Sequence, residues 1–204
     1  MDESSFRQLW RSFATLIREH KDELNELDAA IGDADHGSNM DRGLTKVVDA
    51  LEASPEGSLR ADAKLVGMTL MGTVGGASGA LWGSAMLKFA AALPDAPTVS
   101  WADFVAALDA FVQALAQRGK ATVGDKTMMD VFIPMVDELQ TALTAGEPPF
   151  DTVRSHAREY SERTYDMVAK RGRAAYLGER SVGHVDPGSR SSALWFEALG
   201  AVGP

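Results

Sequence analysis

The chain has 204 residues, 45% of them apolar, with four Trp and eight Phe, enough to fill one large core and too many for a disordered segment. Its formal charge of −9 disfavours nucleic acid as a partner, and the absence of cysteine excludes disulfides and thiolate metal sites. The acidic start has neither the basic stretch nor the apolar run of a secretory signal, and no apolar run approaches the roughly 20 residues of a membrane span, so one cytoplasmic domain over residues 1–204 is expected, away from membranes.

Apolar residues recur at helical spacing almost throughout. Phe6, Leu9, Trp10, Phe13, Ile17, Leu24 and Leu27 fit one stripe and predict a single long first helix, with Asp28 at its end. Ser38 or Asn39 is placed to cap a second helix through Leu44, Val47, Val48 and Leu51. A third is predicted over about residues 58–71, and a fourth follows a glycine loop through Leu81, Met86, Leu87 and Phe89. Ser100 and Asp103 form a capping pair for a fifth, with Phe104, Leu108, Phe111 and Leu115 inward. A sixth covers Met128 to about Leu143, where Pro134 should bend it or sit near its start. A seventh is expected from about Phe150 to Lys170, and the last from about Ser189 to Leu199. No segment alternates as a strand would, and short links favour antiparallel neighbours. The expected architecture is therefore an all-α, up-and-down assembly of about eight helices.

Four segments between these stripes concentrate glycine, small polar residues and charge. The first holds Asp28, Asp33 and Asp35, three carboxylates within eight residues beside His36, Gly37, Ser38 and Asn39. An irregular turn opened by Gly32 lets such carboxylates converge on Mg²⁺, whereas a continuous helix would splay them; a solvated acidic turn with Asp33 as a cap is the competing reading. The second, Gly75-Gly76-Ala77-Ser78-Gly79, either presents helix-start amides to an anion or permits a tight helix crossing. The third, from Gly119 to Met128, nearly spells a phosphate-binding Gly-x4-Gly-Lys-Thr loop. Asp125 interrupts that spelling, however, and a helix precedes it where a strand is needed. The fourth runs from Gly172 to Gly188 and carries Arg173 and Arg180, suited to phosphate or to surface ion pairs. An EF-hand reading of the first segment fails, because its twelfth position is Leu44.

Together these segments closely resemble the family of ADP-binding L subunits of bacterial dihydroxyacetone kinases, the type fed by the phosphoenolpyruvate phosphotransferase system. The matching stretches are Ala-Ile-Gly-Asp-Ala-Asp-His-Gly-x-Asn-Met ending at Met40, Val-Gly-Gly-Ala-Ser-Gly ending at Gly79, and Arg-Gly-Lys-Ala-x-x-Gly-Asp-Lys-Thr-Met ending at Met128. The last is Gly-Arg-Ala-x-Tyr-Leu-Gly-Glu-Arg-Ser-x-Gly-His-x-Asp-Pro-Gly ending at Gly188. The resemblance implies a closed antiparallel barrel of eight helices with the nucleotide on loops at one end. It implies that Asp28, Asp33 and Asp35 bind two Mg²⁺ ions that bridge the ADP phosphates. His36, Gly37, Ser38 and Asn39 would line the site, and Ala77 and Ser78 would lie near phosphate. Gly119 and Met128 would flank the nucleoside, while Arg173, Asp186, Pro187 and Gly188 would close the pocket.

The same resemblance implies that ADP is retained as a cofactor, becomes ATP by phosphoryl transfer from a phosphohistidine donor protein, and passes the group on. The acceptor would be dihydroxyacetone held by a separate substrate-binding subunit, so no catalytic side chain is expected here. The resemblance leaves room for a homodimer. It also resolves a charge problem: three aspartates and ADP contribute about six negative charges, of which two Mg²⁺ offset about four. Two other readings fit the same residues. One is the nucleotide half of a split keto-sugar kinase that exchanges ATP freely. The other is a nucleotide-state sensor that docks on a transcription regulator.

Overall fold

A computed structural model describes residues 1–55, 57–74, 76–146, 150 and 153–203, the side chains of 76, 77 and 154 excepted. Nine α-helices run through the described residues: α1 (Glu3–Glu19), α2 (Lys21–Ile31), α3 (His36–Ala53), α4 (Leu59–Thr73), α5 (Gly76–Ala92), α6 (Trp101–Gly119), α7 (Met129–Ala145), α8 (Val153–Arg163) and α9 (Pro187–Val202). Two 3-10 segments, Thr164–Asp166 and Arg173–Ser181, lie in the long link between α8 and α9. The sole β element among the described residues is an isolated bridge between Asp2 and Thr98. The fold is all-α, as the spacing predicts.

Neighbour relations run round a ring. From α3 to α9 each helix packs on the next, and α1 touches both α3 and α9. With α2 prolonging α1, that makes an eight-membered ring of helices. Its interior is filled by a chain of aromatic contacts: Phe13 on Trp82 at 6.0 Å, Trp82 on Phe111 and Phe132 at 5.4 Å, and Phe132 on Phe196 at 5.3 Å. Such rings each bury large apolar areas, and edge-on or tilted pairs gain further through their quadrupoles. No helix among the described residues is long and apolar enough to cross a membrane.

Three boundaries differ from the periodicity. The expected single first helix breaks at His20, which ends α1 and starts α2. There the His20 ring meets Glu23 at 2.5 Å and Arg190 of α9 donates to Glu23 at 2.6 Å, so tertiary contacts settle the joint. The second predicted helix starts at His36 rather than after Ser38 or Asn39. Its leading amides are capped from another element: Asp35 N and His36 N donate to Asp28 at 2.9 and 3.2 Å, and Ser38 N to Asn25 at 3.0 Å. The expected helix to Lys170 stops at Arg163, where the chain turns into the 3-10 segment. Elsewhere the reading holds: Asp103 N donates to Ser100 Oγ at 3.1 Å at the start of α6. Pro134 lies inside α7, not at its start.

Candidate nucleotide and metal site

The C-terminal ends of α2, α4 and α6 and the N-terminal ends of α3, α5, α7 and α9 meet at one end of the ring. Between them lies a cavity of about 600 Å³, within the size range of small-molecule sites. Every one of the four glycine-rich segments contributes to its lining.

The acidic corner is built by a sharp turn between α2 and α3. Asp28 sits on the last turn of α2 and is buried. A Cβ on Gly32 would lie 2.0 Å from Asp28 Oδ1, so only glycine lets the chain fold back this closely. Ala34 then takes a left-handed conformation with φ 64° and returns the chain to α3. The outcome is that Asp28, Asp33 and Asp35 offer carboxylate oxygens lying within 4.8 Å of one another. Three like charges at that separation repel, and a hard divalent cation is the natural partner for such an all-oxygen donor set. The residues present therefore fit Mg²⁺. Arg173 of the fourth segment, a stretch that packs against the end of α2, pairs with Asp33 at 2.9 Å.

The third segment folds on itself. Asp125 accepts from Thr122 N at 3.1 Å, while Asp130 accepts from Gly124 N at 2.5 Å and Thr127 N at 2.7 Å. Amides that a phosphate-binding loop would offer to its ligand are thus taken by the protein's own carboxylates. Burial pushes Asp130 above the usual carboxylate range, opposed by the Thr127 and Gly124 amides. Asp186 begins α9, where its side chain accepts from Ser189 N at 2.6 Å. Burial pushes its pKa up to about 7, against the pull of that amide, with Asp130 adding to the rise.

Burial lowers the pKa of His36, the fields of Asp28 and Asp35 opposing it, which leaves the ring neutral at pH 7. Its Nε2 lies 3.0 Å from Ser191 Oγ, and that hydroxyl donates to Gly188 O. The network assigns the Nε2 proton to His36 as donor.

The structure brings Asp28, Asp33, Asp35, His36, Asn39, Ser78, Gly119, Met128, Arg173, Asp186, Pro187 and Gly188 to this one cavity. Gly37 and Ser38 are not part of the lining. A Cβ on Gly37 would lie 2.1 Å from Lys21 O, so its glycine serves the approach of α3 to α2, and Ser38 exchanges hydrogen bonds with Asn25. Gly75 and the side chain of Ala77 lie outside the described residues. Gly79 answers to close packing, since a Cβ there would lie 2.3 Å from Val74 O. Arg180 does not line the cavity. Sequence reasoning missed Arg118, Lys126 and Arg171 as lining residues; Arg118 and Lys126 stood in the matching stretch that ends at Met128, but with no role assigned to them. An apolar wall of Ile31, Val74, Leu81 and Leu115 completes the site.

Comparison with known proteins places these features in a family. The family model described as the DAK2 domain matches residues 30–201. The chain is 42% identical over 187 residues to the ADP-binding subunit DhaL of the PTS-dependent dihydroxyacetone kinase of Lactococcus lactis, covering 92% of this chain and 91% of that protein. It is 38% identical to the corresponding PEP-dependent subunit of Escherichia coli, covering 86% of this chain and 85% of that one. It is also 37% identical to L-erythrulose 1-kinase of Mycolicibacterium smegmatis, of whose length it spans 34%. In fold it is similar to crystal structures of the dihydroxyacetone kinase of C. freundii, native and in complex with AMP-PNP and Mg²⁺. Each aligns with a TM-score of 0.77 at 23% identity over 98% of this chain, which spans 35% and 34% of those chains.

Proposed function

The chain belongs to the DAK2 domain family, and we propose that it serves as the ADP-binding phosphotransferase subunit of a phosphoenolpyruvate-dependent dihydroxyacetone kinase. The observation that carries this reading is the carboxylate triad at the edge of a nucleotide-sized cavity. Identity across most of the chain with proteins named as ADP-binding subunits supports it.

In this reading Asp28, Asp33 and Asp35 hold Mg²⁺, two ions in all. His36, Asn39 and Ser78 lie round the phosphates, with Ala77 beside them. Gly119 and Met128 flank the nucleoside, and Arg173 with Asp186, Pro187 and Gly188 closes the pocket. The bound magnesium nucleotide supplies a phosphoryl carrier, loaded by a phosphohistidine donor protein and discharged to dihydroxyacetone on the partner subunit. The chain's own residues bind, orient and neutralise. Arg173, paired with Asp33 at 2.9 Å, sits where a guanidinium can turn from carboxylate to phosphate. His36 is neutral and fixed by Ser191, which suits a hydrogen-bonding role better than a cationic one. Activation of the sugar falls to the partner.

The test is nucleotide retention followed by reconstitution. The purified chain is expected to keep ADP through dialysis in Mg²⁺ and to lose it in EDTA. Asp33→Ala should fold but retain no ADP. With the sugar-binding and phosphohistidine subunits, phosphoenolpyruvate should support formation of dihydroxyacetone phosphate. Turnover on added ATP alone, with ADP lost on dialysis, would instead mark the freely exchanging split kinase.

A further inference from the structure

Lys126 lies between α6 and α7 in a left-handed conformation, φ 60°, which a side-chain-bearing residue adopts only at some energetic expense. It is 1% exposed. Its Nζ donates to three backbone carbonyls: Thr164 O at 2.8 Å, Met167 O at 3.2 Å and His184 O at 2.5 Å. An ammonium has three donors and no acceptor, so these bonds use its whole capacity. Burial lowers its pKa, opposed through space by Asp186, Asp130 and Asp166.

The acceptors lie where regular helix has stopped. Thr164 and Met167 bracket the 3-10 turn after α8, and His184 lies in the link to α9. Those stretches lead directly into the cavity walls formed by Arg171 to Ala174 and by Asp186 to Gly188, while Lys126 itself precedes Thr127 and Met128 in a third wall. Cross-links of the same region run in parallel: Lys170 N donates to Asp125 O at 3.1 Å, and Asp186 N to Thr164 Oγ1 at 3.0 Å. A methionine would fill nearly the same volume. What it lacks is the trigonal set of donors that ties three separate segments together.

We propose that Lys126 is a positioning residue of the nucleotide pocket, whose ammonium holds three wall-forming loops together so that ADP–Mg²⁺ meets a preformed site and leaves it slowly. The inference rests on the nucleotide reading above and adds to it the residue that builds the pocket's walls. Ordering three loops in advance removes an entropic penalty that would otherwise fall on binding.

The experiment measures affinity and dissociation rate of a fluorescent ADP analogue with Mg²⁺, at a temperature where every variant is folded by circular dichroism. Lys126→Met is expected to weaken binding about tenfold to a hundredfold, mainly through faster release. Lys126→Arg, which keeps charge but has a planar fork, should fold and release ADP several-fold faster than wild type. The chain has no cysteine, so Lys126→Cys gives a single thiol. Alkylated in denaturant with bromoethylamine and refolded, it regains the ammonium and should recover slow release, whereas carbamidomethylation should not. Release rates within twofold of wild type in both Lys126→Met and Lys126→Arg would overturn the proposal, as would equal rates for the two alkylated forms. If Lys126→Met does not fold, the arginine variant and the alkylation pair decide. No ADP binding by wild type would defeat the nucleotide reading itself, which separates the two failures.

Discussion

The two ends of the helical ring are held by different forces. At the end away from the cavity, Phe6 stacks on Phe89 at 6.2 Å, Phe89 meets Phe104 edge-on at 5.3 Å, and Trp101 packs against Phe104 at 5.5 Å. Nearby, the terminal ammonium of Met1 donates to Val99 O at 2.9 Å. At the cavity end the wall-forming segments are irregular and are tied by polar groups: Asp28 to the start of α3, Asp130 to its own loop, Lys126 to three carbonyls. Apolar packing is non-directional and gives stability, while directed bonds fix atom positions and leave carboxylates crowded. The remote end buries a charge as well, Asp62, but pairs it with Arg7 at 2.6 Å, whereas at the cavity end Asp28, Asp33 and Asp35 crowd carboxylate oxygens within 4.8 Å of one another.

Removing an aromatic ring tests that division most severely. Phe89 is buried among Phe6 and Phe104, so Phe89→Ala should lose about 3–5 kcal/mol of unfolding free energy. Urea titration would measure it. The folded fraction should bind ADP–Mg²⁺ as wild type does, and a large loss of affinity would show that the two ends are coupled.

Asp186 gives the next largest effect, with opposite sign. Burial raises its pKa from 3.8 to about 7, so between those values the folded protein binds more protons than the unfolded chain. Stability of the metal-free protein therefore falls as pH rises from about 4 to 7, by on the order of a few kcal/mol. Asp186→Asn keeps an oxygen for the Ser189 amide, removes the charge and should flatten that slope, raising Tm at pH 8. The same change should weaken ADP–Mg²⁺ binding. A variant whose melting temperature keeps the wild-type slope would refute this.

The helical stripes were legible because burial on a helix repeats with its pitch, and Phe6, Leu9, Trp10, Phe13 and Ile17 are all buried as that spacing requires. The carboxylate triad was legible as a cluster because its members are close in sequence, and Gly32 marks their turn. The break at His20 was not, because Arg190 settles it from 170 positions away. Lys126 was hidden for the same reason: a lysine in a polar loop reads as solvated, and its acceptors lie 38, 41 and 58 residues along the chain. Ser38 misled in the other direction, since a serine at a helix start suggests a cap, yet Asp28 and Asn25 of the preceding helix do that work.

The mildest change sharpens the contrast. Ser100 caps α6 at the end remote from the cavity: its Oγ accepts from Asp103 N at 3.1 Å and lies 2.6 Å from the Asp103 carboxylate. Both bonds are solvent-exposed, so water replaces much of what is lost. Ser100→Ala should therefore cost about 1 kcal/mol, the common value for an N-cap serine. Because α6 also carries Gly119 at its other end, fraying of the first turn reaches the nucleotide site only if the helix moves as a rigid rod. The buried faces of Phe104, Leu108, Phe111 and Leu115 hold it against that motion. Thermal unfolding should show the loss while ADP release stays at the wild-type rate, and a changed release rate would mean that the aromatic end steers the loops through α6.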